Sequence, residues 1–161
     1  MKVLITAACG MLGHALVRGA PPRIDLRALT RAELDIADRG DVCAAVAVFQ
    51  PELIINAAAY THAHASRFMA QAARSVPGCR LLHVSTKKAG EKAVLAALGE
   101  RAVVLRTAGV YQYGTSAAAD SIAGALWAIA GRPGIRGIVH FSDDGEAAWQ
   151  GAAARAAGAG A

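Results

Sequence analysis

At 161 residues the chain is long enough for one domain with a real core and too short for two full ones. Its 55% hydrophobic and 18% charged residues exclude a disordered chain, and no stretch approaches the roughly 20 apolar residues of a membrane span. The net charge of +5 suits an anionic ligand, but the basic residues are scattered, Lys87-Lys88 is their only adjacent pair and aromatics are few, which argues against a nucleic-acid partner.

The chain opens on an apolar strand, Lys2 to Thr6, that runs through Ala7-Ala8-Cys9-Gly10-Met11-Leu12-Gly13 into a helical segment, Met11 to Arg18. A strand-to-helix turn that lets backbone N–H groups and a helix N-terminus reach a pyrophosphate needs residues without bulk. Gly10 and Gly13 meet that need, and Ala7 stands where a first glycine is expected. The same glycine pair also suits an ordinary βα turn.

Beyond this turn, short β-branched runs alternate with alanine-leucine segments, the pattern of βαβ units on a parallel sheet. Strands are predicted at Asp25 to Leu29, Leu53 to Asn56, Arg80 to Ser85, Ala102 to Thr107 and Gly137 to Phe141. Helices are predicted at Gly40 to Phe49, Ser66 to Ser75, Lys88 to Leu98 and Asp120 to Ala130. In the segment from Lys88, Val94, Leu95 and Leu98 recur at helical spacing and Gly99 ends the helix. The expected fold is α/β: a Rossmann-like doubly wound parallel sheet in a single three-layer domain over residues 1–150, with its strand-end loops on one edge. With alanine abundant, the core is expected to be thin and built of small side chains. The alanine- and glycine-rich tail, 151–161, has no apolar anchor and is expected to be disordered.

Cys9, Cys43 and Cys79 are far apart, which argues against a zinc site or a disulfide framework and for a reducing compartment. Lys2 and the apolar run before Cys9 resemble a secretory leader, but Thr6 interrupts the run and His14 lies inside any extension, so a cytoplasmic protein is expected. His62 and His64 point to opposite faces of an extended chain and have no third ligand, so no metal is expected. His83 and His140 read as satisfied core or edge groups within strands, and Trp127 as core packing on an apolar helix face.

Several segments together resemble the dTDP-4-dehydrorhamnose reductases of the short-chain dehydrogenase/reductase superfamily. They are Lys2 to Thr6 with Gly10 to Gly13; Leu29 to Ile36; Pro51 to Thr61; Leu82 to Thr86; Ala89 to Val94; Leu105 to Thr107 with Val110-Tyr111; and Gly137 to Phe141 followed by Trp149. The resemblance implies NADPH as cofactor, with NADH left open, and a nucleotide-sugar substrate; charge scatter and the lack of an apolar span lead to no nucleic-acid or membrane partner being expected, and a homodimer is left open. The resemblance also implies that Gly10, Met11 and Leu12 meet the pyrophosphate, that Asp35 and Ile36 flank the adenine, and that Ala57, Ala58, Ala59 and Thr61 leave room for the nicotinamide ribose. The alternative for Asp35 is a helix N-cap just ahead of Asp38. Arg31 is a candidate for the extra phosphate of NADPH, or a surface arginine.

By the same resemblance Thr86 binds the substrate carbonyl oxygen, and Lys87 holds the ribose and lowers the pKa of a proton-donating tyrosine. In the family a long loop bearing that tyrosine separates the two positions, whereas here Thr86 and Lys87 are neighbours. The chain therefore reads as internally shortened, with a reduced substrate region. Tyr60, Tyr111 and Tyr113 fall at strand ends on the same sheet edge, yet a tyrosine titrates near pH 10 unless a cation assists it. Two functions follow: a reductase that forms dTDP-L-rhamnose with NADPH, or a catalytically impaired NADP-binding regulatory or interaction module.

Overall fold

A computed structural model describes residues 1–58, 63–85, 88–107 and 116–141. Along it alternate β1 (Lys2–Thr6), α1 (Met11–Arg18), β2 (Asp25–Leu29), α2 (Arg39–Phe49), β3 (Leu53–Asn56), α3 (Ala63–Ser75), β4 (Arg80–Ser85), α4 (Lys88–Leu98), β5 (Ala102–Thr107), α5 (Ser116–Ala130) and β6 (Gly137–Phe141). All six strands have their predicted bounds. Three helices begin earlier than predicted, and at two of them the local chemistry says why. The Asp38 side chain accepts from the N–H groups of Gly40 and Asp41, so α2 starts at Arg39. Ser116-Ala117-Ala118-Ala119 has high helix propensity and extends α5 toward its N-terminus. At Gly99 the backbone turns left-handed, with φ +54, and a short 3-10 turn, Gly99–Arg101, leads into β5.

The six strands form one sheet in the order β2-β1-β3-β4-β5-β6, every pair parallel. From β1 the chain winds outward to β2, then returns to β3 and proceeds the other way. The reversal lies between β1 and β3, and in an open parallel sheet the crevice at the carboxyl end of such a reversal is where ligands bind.

Strand alternation divides the core between the two faces. Val3, Ile5, Leu53, Ile55, Leu82, Val84, Val103 and Leu105 pack against α1 and α5. Leu4, Ile54, Leu81 and Val104 pack against α2, α3 and α4. The expected small-residue core holds for the helices, where α5 offers Ala118, Ala119, Ala123, Ala125 and Ala130. It does not hold for the sheet, whose central strands bury leucine, isoleucine and valine on both faces. Trp127 is buried core packing, and its indole N–H donates to the Leu16 carbonyl at 3.0 Å, joining α5 to α1. No helix among the described residues is long and apolar enough to cross a membrane.

Candidate functional site

The turn after β1 is built around two positions. Ala7 has φ +56, the left-handed conformation that glycine holds at no steric cost, and its carbonyl accepts the Gly10 N–H at 3.0 Å. The methyl group therefore does not prevent the turn from closing, and its cost is on the order of 1 kcal/mol. Gly13 is compulsory: a Cβ there would lie 2.3 Å from the Ala7 oxygen and 2.6 Å from the Ala8 Cα, so α1 rests directly on the turn. Gly10 caps α1 from an exposed position, and no acidic residue occupies the first helical turn. The N–H groups of Met11, Leu12 and Gly13 have no acceptor within the helix, which gives the turn the partial positive charge that suits an anion. The Met11 side chain is exposed, whereas that of Leu12 is buried in the core, so position 12 offers a ligand only its backbone.

Beside this turn, the Ala8 N–H donates to the Leu29 carbonyl at 3.0 Å and binds the ends of β1 and β2 together. After β2, Thr30 donates its N–H at 2.8 Å and its hydroxyl at 2.7 Å to the Glu33 carboxylate, which holds that carboxyl below its usual range. Arg31 is exposed. Asp35 is half-buried and accepts the Ala37 N–H at 3.0 Å, and Ile36 packs its partly buried side chain on the α2 side of the core. The helix cap weighed for Asp35 belongs instead to Asp38. Across the strand-order reversal, Ala57 is buried and Ala58 half-buried just after β3, the strand beside β1.

Beneath the carboxyl edge runs a row of buried polar side chains that sequence reading did not foresee. Thr6 and Asn56 are register partners, as are Asn56 and His83. The Thr6 hydroxyl donates to Asn56 Oδ1 at 2.7 Å, and the same oxygen accepts the Ala58 N–H at 3.3 Å. Asn56 must therefore present Nδ2 to His83 Nδ1, 3.1 Å away. The imidazole then carries its proton on Nε2, which faces Ser66 Oγ at 3.5 Å. Burial pushes the His83 pKa down to about 4, against the opposing pull of Glu91, and keeps the ring neutral.

Next in the same layer stands Glu91, buried in the first turn of α4. Its carboxylate accepts Arg106 Nε at 2.9 and 3.0 Å and Nη2 at 2.6 Å, and it also accepts the Ser85 hydroxyl. The Arg106 bonds, then that of Ser85, hold the carboxyl below the usual range despite its burial. The signal in the sequence was a polar residue near the end of each central strand, Thr6, Asn56, His83 with Ser85, and Arg106.

Ala59, Thr61, Thr86 and Lys87 lie outside the described residues, as do Tyr60, His62, Tyr111 and Tyr113. The structure thus places Gly10, Met11 and Leu12 after β1 and Ala57 and Ala58 after β3, at the carboxyl ends of neighbouring strands, and Asp35 and Ile36 after β2. It bounds the Thr86-Lys87 pair between Ser85 and α4.

Residues 1–86, just over half of the chain, match the family model described as the RmlD substrate binding domain. The chain belongs to this family. A dTDP-4-dehydrorhamnose reductase of Mycobacterium tuberculosis is 33% identical over 161 residues, covering 71% of this chain and 52% of that protein. A probable dTDP-4,6-dihydroxy-2-methyloxan-3-one 4-ketoreductase of Streptomyces antibioticus is 29% identical over 218 residues, 92% of this chain and 74% of that one. The RmlD-type chain thus spans between about half and three quarters of the length of these relatives. Among solved structures, the dTDP-4-dehydrorhamnose reductase from Bacillus anthracis, in complex with NADP, superposes with a TM-score of 0.76 at 20% identity, covering 89% of this chain and 75% of that one. The reductase of Clostridium acetobutylicum gives 0.75 at 19%, covering 90% and 75%. At these identities the RmlD-type chain shares their fold, a parallel doubly wound three-layer sheet.

Proposed function

We propose that this protein is a cytoplasmic oxidoreductase of the dTDP-4-dehydrorhamnose reductase type, reducing the 4-keto group of a dTDP-linked 6-deoxyhexose to dTDP-L-rhamnose with NADPH, NADH being the alternative cofactor. The observation that carries the reading is the Ala7-Gly10-Gly13 turn at the strand-order reversal, with the N-terminus of α1 on one side and small residues Ala57 and Ala58 on the other. That arrangement fits a dinucleotide: the pyrophosphate meets Gly10, Met11 and Leu12, the adenine lies by Asp35 and Ile36, and the distal ribose lies along Ala57 to Thr61. The bound cofactor supplies a hydride. Thr86 orients the substrate carbonyl oxygen and Lys87 holds the ribose.

One observation favours a second reading. No tyrosine stands between Thr86 and Lys87, and a missing general acid typically costs on the order of 10²- to 10⁴-fold in rate. The alignment to the Streptomyces antibioticus relative runs over 218 residues, more than this 161-residue chain holds, which supports internal shortening. A catalytically impaired NADP-binding module is what such a chain becomes. Titrating the protein with NADPH while following nicotinamide fluorescence, then adding the keto-sugar nucleotide, separates the two. Binding with NADPH oxidation supports the reductase, binding without it supports the module, and no binding rejects both.

A further inference from the structure

Among the described residues, the buried polar side chains fall on two faces of the sheet. Thr6, Asn56, Ser66, His83, Ser85 and Glu91 lie on the side of α2, α3 and α4, and each has a hydrogen-bond partner. Thr107 stands apart. It ends β5, and strand alternation sets it on the face of Val103 and Leu105, toward α1 and α5. It is 6% exposed, and its hydroxyl oxygen has no hydrogen-bond partner among the described residues. Valine has the same shape without the cost of an unpaired buried hydroxyl, so packing alone does not account for threonine here. A polar group from outside the chain does.

Its place in the sheet selects the group. Thr107 and its register partner Phe141 end β5 and β6 at the carboxyl edge, the edge that also carries the β1–α1 turn. From β1 the sheet runs to β2 on one side and through β3 and β4 to β5 on the other. Strands lie roughly 4.8 Å apart, so the end of β5 is about 14 Å from that turn. A dinucleotide whose pyrophosphate sits on the turn and whose adenosine lies by β2 sends its nicotinamide half toward β5. The hydroxyl is neutral and its face of the sheet is apolar, so a phosphate or carboxylate would be buried there without a counter-charge, whereas a carboxamide both donates and accepts. Resting on the cofactor reading above, we propose that the Thr107 hydroxyl pairs with the carboxamide of a bound nicotinamide.

The test uses the full chain and two ligand pairs, NADPH with 2′-phospho-ADP-ribose and NADH with ADP-ribose; the second of each pair lacks only the nicotinamide. Thr107→Val is expected to weaken the dinucleotide that wild type binds about fivefold, the scale of one neutral hydrogen bond, and to leave its truncated counterpart within about twofold. Thr107→Ser, which keeps the hydroxyl, is expected to stay within about twofold of wild type for both. Without ligand, Thr107→Val should unfold at a urea midpoint equal to or above that of wild type. A lowered midpoint, or a variant that does not fold, overturns the proposal, because the hydroxyl then has its partner within the protein. So does unchanged dinucleotide affinity, or equal weakening of both members of a pair. Wild-type protein that binds none of these ligands removes the cofactor reading and the proposal with it, an outcome distinct from a wild type that binds and a variant that does not discriminate.

Discussion

Ala7 shows how a single methyl group is accommodated. Its left-handed backbone costs about 1 kcal/mol relative to glycine, while glycine loses roughly 0.4–1 kcal/mol more chain entropy on folding, so Ala7→Gly is expected to change stability by less than about 1 kcal/mol in urea unfolding. Gly13→Ala is the opposite case. Its Cβ meets backbone atoms that cannot rotate away, so a loss of about 3 kcal/mol or more is expected in the same measurement, with weaker NADPH binding. His83 makes a pH prediction. Its folded pKa, near 4, lies below the ordinary value of 6.5, so the unfolded chain takes up the proton first as pH falls. Stability is complete above pH 6.5 and is lost progressively down to pH 4, by about 3 kcal/mol for the full shift. His83→Gln removes that dependence, and urea unfolding at pH 7, 6 and 5 reads it directly; equal slopes for variant and wild type would contradict the assigned state of the ring. The turn glycines were legible because their requirement is local. The role of His83 was only half legible, since its partners Asn56 and Ser66 are defined by strand register and helix packing.

Elements were the most readable level, for a physical reason. Each central strand is a short apolar run bounded by turn residues and buried on both faces. Helix starts moved because caps and alanine propensity decide them. Asp38 serves α2 with two backbone hydrogen bonds, and Asp38→Ala is expected to cost about 1 kcal/mol, with the loss measured as a lowered urea midpoint. Trp127→Phe keeps the ring in the core but leaves the Leu16 carbonyl without its donor, at a cost of about 1–2 kcal/mol, and loosens α5 against α1. Amide exchange in those two helices should rise together. The polar layer between the sheet and α3–α4 could not be read element by element, because it exists only once Thr6, Asn56 and His83 fall side by side.

On the scale of the whole molecule, the chain keeps the doubly wound parallel fold while residues 86 and 87 stand adjacent, where the resemblance read from the sequence implies a long tyrosine-bearing segment. Inserting such a segment between Thr86 and Lys87 asks little of the scaffold. The insertion point follows Ser85, the last residue of β4, and each doubling of a flexible loop costs only about 0.6 kcal/mol. The Glu91–Arg106 pair joins α4 to β5 on the far side of the insertion point, so it holds the helix whatever length precedes it. In the role proposed for Lys87, its positive charge favours the ionised phenol of a tyrosine delivered there and brings its acidity toward neutral pH. The expected outcome is NADPH affinity within a few-fold of the parent chain and turnover of the keto-sugar nucleotide raised on the order of 10²- to 10⁴-fold, measured as NADPH oxidation. A Tyr→Phe change within the inserted segment should cancel that gain. If the parent chain already oxidises NADPH and the insertion leaves that turnover unchanged, the proton comes from a group the parent chain already owns, and Tyr60 and Tyr111 become the positions to substitute.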